Sequence, residues 1–416
     1  MTNESSNGAA KSGGESELAK QRITVGEEGR VLGSGVDSLY ITTDVFWRND
    51  SFFESLSALK AEAAAKRCEM PSLLKGEGFE WAFRVKGHGA EGYEWLLTSA
   101  EYEVKIGKWM TPRSRPSISI QIHSQTLWLY GVVEAIDRIL TLLTCAGAMV
   151  KETKASRIDV CVDILLPRSL WNRGLEDHIV CFAEKISCHG KREKFSGISI
   201  GQGGVFSARL YDKDREIRQK SKKFWMFDIW QLQSVPEECR VVRVEFQLRR
   251  EAIVELGMNS IWSFTNHPRN VWAYCSRVWL KFQDQPDLHH TQQSTMPFWK
   301  TVQNGFLGGQ EEQPMLRAKM VNVKRKQISQ QLMGQLTSLI ALDCKVPAPK
   351  LELEHQLPLV VKSAELIGMD DKALSEKVRR KQGKYLKAIE KFEEAETLRK
   401  ELGLPQRLPG TEGGAA

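Results

Sequence analysis

The chain has 416 residues, of which 41% are hydrophobic and 27% charged, and a formal net charge of +7. That length allows two or three domains, and the modest basic excess suits a polyanionic partner without requiring one. No run approaches the ~20 apolar residues of a membrane span and the polar, glycine-rich N-terminus has no apolar signal core, so the expectation is a cytoplasmic protein with no membrane partner.

Residues 1–34 are rich in Ser, Gly, Glu and Lys with almost no large apolar side chains, which predicts a disordered tail. Residues 38–47, β-branched and aromatic, predict a first strand, and the Ala-rich stretch 51–66 a helix. Strands of a hairpin or meander follow at 79–85 and 93–106. The alternation Ser117-Ile118-Ser119-Ile120-Gln121-Ile122-His123 opens a strand over 117–129, which Gly131 ends. A helix over about 133–149 and a strand from Arg157 complete a strand–helix–strand crossover. A second helix is expected over 175–187. Strands at 197–200 and 205–211 flank Gly201-Gln202-Gly203-Gly204, and because a strand follows those glycines they form a hairpin turn and not a phosphate-cradling loop.

Residues 212–223 are charged and helical, 240–249 return as a strand, and helices run on to about 283. Trp262, Trp272 and Trp279 fall at helical spacings, which favours packing. The expected organisation is therefore a tail (1–34), a main domain (35–285), a polar connection (286–312), a helical C-terminal region (313–404) and a second tail (405–416). Eight cysteines without a Cys-x-x-Cys pair predict reduced, mostly buried thiols, and no His-x-His occurs among eight histidines.

Three strands carry the chemistry. In Arg157-Ile158-Asp159-Val160-Cys161-Val162-Asp163-Ile164, alternation puts the aliphatic residues on one face and Arg157, Asp159, Cys161 and Asp163 on the other. In residues 241–249 the polar face is Arg243, Glu245, Gln247 and Arg249, and in 205–213 it is Ser207, Arg209, Tyr211 and Lys213. If the three neighbour one another, one face gathers two Asp, a Glu, a Tyr, a Lys and several Arg. Hard oxygen ligands of that kind suit Mg²⁺ or Mn²⁺. A tyrosine beside a divalent ion and a cationic phosphate clamp is equipped to attack a phosphodiester. A half-solvated antiparallel sheet with cross-strand ion pairs fits the same alternation.

The motifs Ser-Arg-Ile-Asp-Val-Cys-Val-Asp-Ile, Gly-Ile-Ser-Ile-Gly, Ala-Arg-Leu-Tyr-Asp-Lys-Asp-Arg-Glu and Val-Val-Arg-Val-Glu-Phe-Gln-Leu-Arg occur in that order between residues 156 and 250. This set resembles the Rep_trans family of rolling-circle replication initiation factors, over roughly residues 35–300. The resemblance implies an α+β, relaxase-like, mostly antiparallel sheet with crossover helices, plus a helical C-terminal region. It implies a metal-dependent, site-specific DNA nickase and strand transferase that nicks and rejoins one origin strand. Asp159, Asp163 and Glu245 match the family's acidic positions and would hold Mg²⁺ or Mn²⁺. Tyr211 matches the nucleophile, Lys213 and Arg209 its cationic neighbours, and Glu216 the Glu that follows; Arg157, Arg243 and Arg249 would bind DNA. His123 stands where the family has a small or polar residue. The partner implied is origin DNA with an exposed single strand, engaged as a dimer, with a helicase as a further partner. A relaxase of an integrative conjugative element would use the same chemistry. A non-catalytic origin-binding protein, or a phosphodiesterase that uses water in place of Tyr211, are the alternatives.

Overall fold

In a computed structural model of the chain, the described residues are 25–76, 78–191, 194–286, 294–308 and 312–317, with scattered residues between 332 and 403. The N-terminal tail up to residue 24, nearly all of the expected helical region 313–404 and the tail 405–416 lie outside them.

Alternating and β-branched segments supply thirteen strands among the described residues: β1 (Arg30–Trp47), β2 (Met70–Lys75), β3 (Glu80–Val85), β4 (Trp95–Thr98), β5 (Tyr102–Ile106), β6 (Ile118–Ile122), β7 (Ala148–Pro167), β8 (Ile179–Cys181), β9 (Ile186–Lys191), β10 (Lys194–Ile200), β11 (Phe206–Asp212), β12 (Cys239–Arg249) and β13 (Leu280–Phe282). Eight α-helices join them: α1 (Ser51–Lys66), α2 (Ser124–Cys145), α3 (Lys213–Glu216), α4 (Met226–Trp230), α5 (Arg250–Glu255), α6 (Ile261–Asn266), α7 (Pro268–Ala273) and α8 (Pro297–Asn304). Eleven strands form one antiparallel sheet in the order β2-β3-β4-β5-β6-β1-β7-β12-β11-β10-β9, and β13 pairs with β8 in a second. The class is α+β, as expected. β6 and β7 both pair antiparallel with β1, so they run parallel to each other and α2 is the crossover between them.

One face of the sheet is apolar: Leu39 and Ile41 of β1, Ile158 to Ile164 of β7 in alternation, and Val242 to Leu248 of β12 are buried. The second half of α2 and helices α5 to α8 cover this core. The stretch 286–312, expected as a connection, contains α8, and Phe298, Trp299 and Val302 are buried in the same core. The sheet also begins at Arg30, inside the segment read as tail.

Two local expectations are corrected. The helix expected over 175–187 is instead a 3₁₀ turn (Arg173–His178) followed by β8 and the start of β9, because β13, far along the chain, pairs with β8 and β10, next in sequence, pairs with β9. The strand expected to run on to Leu129 ends at Ile122, and α2 begins at Ser124, breaking at Gly131 (φ 79°, ψ 169°). Trp272 and Trp279 are buried as their spacing suggested, but Trp262 is 38% exposed. Among the described residues no helix is long and apolar enough to cross a membrane.

Candidate active site

β7, β12 and β11 are adjacent, and their register aligns the polar residues. Arg243 lies opposite Asp163 and Tyr211, Glu245 opposite Cys161 and Arg209, and Gln247 opposite Asp159 and Ser207. Residues directly opposite each other share a face, so the three motifs form one surface. That surface has a sealed end and a partly open end, where Arg209 and Arg157 reach solvent while Lys213, Glu245 and Asp159 are buried.

At the sealed end, Asp163 accepts from Arg243 Nε at 2.6 Å and Nη2 at 2.7 Å, and from the Trp230 indole at 2.8 Å. The remaining guanidinium nitrogen of Arg243 donates to Asp37 at 2.5 Å. Asp37 also accepts from the Ser124 hydroxyl at 2.8 Å and faces Lys223 Nζ at 3.8 Å. Burial pushes the Asp37 carboxyl up, but Arg243, Lys223, Lys213 and the Ser124 hydroxyl outweigh it and hold it well below the usual range. Asp37 reaches the site through a β-bulge: Val36 pairs with Val160 and Ser38 with Asp159, which leaves Asp37 as an extra residue on β1. Trp128 of α2 lies over Gly33 and Gly35 of β1 and beside Arg243, at 5.7 Å from ring centre to guanidinium. Met226 and Trp230 of α4 close the lid in a second small core with Leu165 and Val241.

At the open end, the Tyr211 hydroxyl donates to Glu245 Oε2 at 2.9 Å, while Arg209 pairs with Glu245 Oε1. Lys213 Nζ stands 3.5 Å from the Tyr211 oxygen and 2.8 Å from Glu216. Lys213 comes from the first residue of α3, whose start is fixed by the Asp212 side chain accepting the Arg215 N–H at 3.0 Å. Burial first, and the Glu245 charge second, push the Tyr211 hydroxyl well above its ordinary value. The phenol is therefore held protonated, although Lys213 and Arg209 lie beside it. Asp159 accepts from Arg157 Nε at 2.9 Å and Nη2 at 2.5 Å. Burial raises its carboxyl to about 6, with Glu245 adding to the rise and the Arg157 hydrogen bond opposing it.

The expected metal set does not fit a common ion as arranged. Asp163 is fully buried with both oxygens spent on Arg243 and Trp230, Asp159 is spent on Arg157, and Glu245 is shared by Arg209 and Tyr211. Among the described residues no group of three or more His, Cys, Asp or Glu side chains is arranged to hold a metal. Of the arginines expected on DNA, Arg243 is fully buried and has no surface to offer a phosphate. Arg157 keeps 31% of its side chain exposed, and Arg249 is exposed where β12 ends. Cys161 is fully buried between Glu245 and Gly35 of the flanking strands, a small filler whose thiol pKa burial raises well above its ordinary value. His123 precedes α2, with its ring 3.0 Å from the Ala100 carbonyl and no contact to the tyrosine site.

Sequence reasoning missed Asp37, Trp128, Lys223 and Trp230. An Asp at the head of the strand-forming run Val36-Asp37-Ser38-Leu39-Tyr40-Ile41 was the available signal for the first.

No family model matches the chain, and no curated protein matches it. Among solved structures, a rolling circle replication initiator protein from Geobacillus stearothermophilus is similar at 15% identity and a TM-score of 0.38, over 67% of this chain and 100% of its own. A likeness of that size carries no argument about activity.

Proposed function

We propose that the chain nicks and rejoins one strand of origin DNA to initiate rolling-circle replication, with Tyr211 as the nucleophile. The observation that carries this reading is the Tyr211 hydroxyl, donating to Glu245 at 2.9 Å with the Lys213 ammonium 3.5 Å away and the partly exposed Arg209 on the same carboxylate. It joins the four ordered motifs of residues 156–250, which resemble those of Rep_trans initiators.

A protonated phenol is a weak nucleophile, so attack must be coupled to loss of its proton. Glu245 Oε2, already the acceptor, takes that proton as the Tyr211 oxygen bonds to phosphorus. The bond from phosphorus to the 3′ oxygen breaks, and the departing oxygen takes a proton from Lys213 or water. The strand's 5′ phosphate stays on the tyrosine, so the phosphoester bond is conserved and a later 3′ hydroxyl can reseal the strand by the reverse path. Arg209 and Arg157, both partly exposed beside the carboxylates, supply positive charge to the nonbridging oxygens.

The test is covalent capture. Wild-type protein incubated with a supercoiled or single-stranded origin substrate should give a protein–DNA adduct on a denaturing gel, and Tyr211→Phe should give none while keeping its fold. Nicking by the wild type with no adduct under trapping conditions would replace the tyrosine with water as the nucleophile.

A further inference from the structure

The segment between β5 and β6 builds a stack that the tyrosine chemistry does not use. The Arg113 guanidinium lies over the Trp109 ring at 5.7 Å, Trp109 faces Tyr93 at 6.1 Å with 31° between the planes, and Arg115 lies over Tyr93 at 5.4 Å. The order is Arg–Trp–Tyr–Arg, with both guanidinium groups exposed at its ends. Two glycines make room for it. A Cβ at Gly107 would run into the Trp109 ring, and one at Gly92, where φ is 79°, would run into the Arg115 guanidinium.

The loop is tied at its base, with the Gly107 N–H donating to the Ser117 carbonyl at 3.0 Å and the Trp47 N–H to Met110 at 3.0 Å. Arg115 Nη1 donates to the Glu91 carbonyl at 2.6 Å. Among the described residues neither Arg113 nor Arg115 pairs with a carboxylate, so both keep their charge for a ligand. Lys108 adds a further exposed cation.

The stack borders the same sheet face as the tyrosine. Lys105 pairs through Ser119 and Thr42 to Lys154, and the row beside it runs Glu103, Gln121, Tyr40, Arg157. Lys105 reaches Glu91 at 3.0 Å, the residue whose carbonyl holds Arg115. Five strand spacings of ~4.8 Å and about nine residues at ~3.4 Å put Lys105 on the order of 40 Å from Tyr211. At ~3.4 Å per stacked nucleotide, that is roughly twelve nucleotides.

We propose that Arg113 and Arg115, backed by the Trp109 and Tyr93 rings, form a second DNA contact, a platform for an unpaired strand leaving the tyrosine site across the polar face. Flat guanidinium groups backed by aromatic rings accept stacked bases and pair with phosphates. Bases are available for such stacking in a single strand and not in a duplex, which selects the ligand. The choice of DNA as the polyanion rests on the function proposed above; the platform itself does not depend on covalent chemistry.

The experiment therefore uses full-length Tyr211→Phe protein as background. Binding of a fluorescent single-stranded 25-mer is measured by anisotropy across a salt series, with and without Arg113→Ala and Arg115→Ala together. The platform predicts about ten-fold weaker binding in the triple variant and a salt slope shallower by about 1.4, two phosphate contacts at ~0.7 each. Photo-cross-linking of a bromouracil-substituted 25-mer should place adducts on the peptide containing Trp109. Unchanged affinity and slope, a loss confined to duplex of the same sequence, or cross-links absent from residues 105–116 would each overturn the proposal. Loss of the Tyr211 adduct in the wild type would sink the nicking mechanism and leave these measurements intact.

Discussion

Arg243 meets two carboxylates in the dry end of the site, and that fixes what its loss would do. Removing one partner of a buried ion cluster strands the others without water or counter-charge, typically at about 3–5 kcal/mol. Arg243→Ala should therefore lower the unfolding free energy by that much, read from the shift in denaturant midpoint, since Asp163 and Asp37 both depend on it. Asp163→Asn should lower stability too, and leave any effect of Mg²⁺ or Mn²⁺ on the melting temperature as it is in wild type, because its oxygens face Arg243 and Trp230. Loss of an Mg²⁺ or Mn²⁺ effect in that variant would restore it as a ligand. Asp159 behaves differently. Its folded carboxyl titrates at about 6, above the 3.8 of a free aspartate. Between those values the native state holds a proton that the unfolded state has released, so stability falls as pH rises from about 4 to about 6. The difference in melting temperature between wild type and Asp159→Asn should shift against wild type over that window. A difference that stays flat or moves the other way would mean Asp159 is not buried as described.

At the scale of elements, alternation made most of the site legible. The motifs on β7, β11 and β12 have a period of two, and pairing then brought Asp159, Glu245, Arg209 and Tyr211 onto one face. The same signal was blind to the bulge at Asp37, where an extra residue breaks the register without changing the pattern around it. It was also blind to what covers a polar face. Trp128 and Trp230 arrive from helices distant in sequence, and they turn one end of a surface that looked solvated into an enclosed ion cluster. The helix expected over 175–187 does not form because the pairing partners of this segment, β13 and β10, override local helical spacing. The break in α2 gives a direct test of the lid. Gly131 has backbone angles open essentially to glycine alone. Gly131→Ala should cost about 1–3 kcal/mol although nothing lies within 4 Å of the added Cβ. A neutral substitution would show that Trp128 is held over Arg243 without help from the kink.

At the scale of the whole molecule, the sheet divides its two faces between stability and function. The apolar face carries the main core, which α8 completes with Trp299 fully buried. Trp299→Ala should accordingly cost about 3–5 kcal/mol, read as a fall in the denaturant midpoint, although it lies beyond the expected domain boundary at residue 285. The polar face runs from the enclosed Asp163–Arg243–Asp37 cluster, past Tyr211 and Glu245, to an open surface ending at the Arg113–Trp109–Tyr93–Arg115 stack. The central claim is that Tyr211 is the residue that takes the DNA strand. The direct measurement is mass spectrometry of the trapped protein–DNA adduct after protease and nuclease digestion. A nucleotide attached through phosphate to the peptide carrying Tyr211, and its absence from Tyr211→Phe protein, is the predicted result. An adduct on another tyrosine, or one of undiminished abundance in Tyr211→Phe, would contradict it.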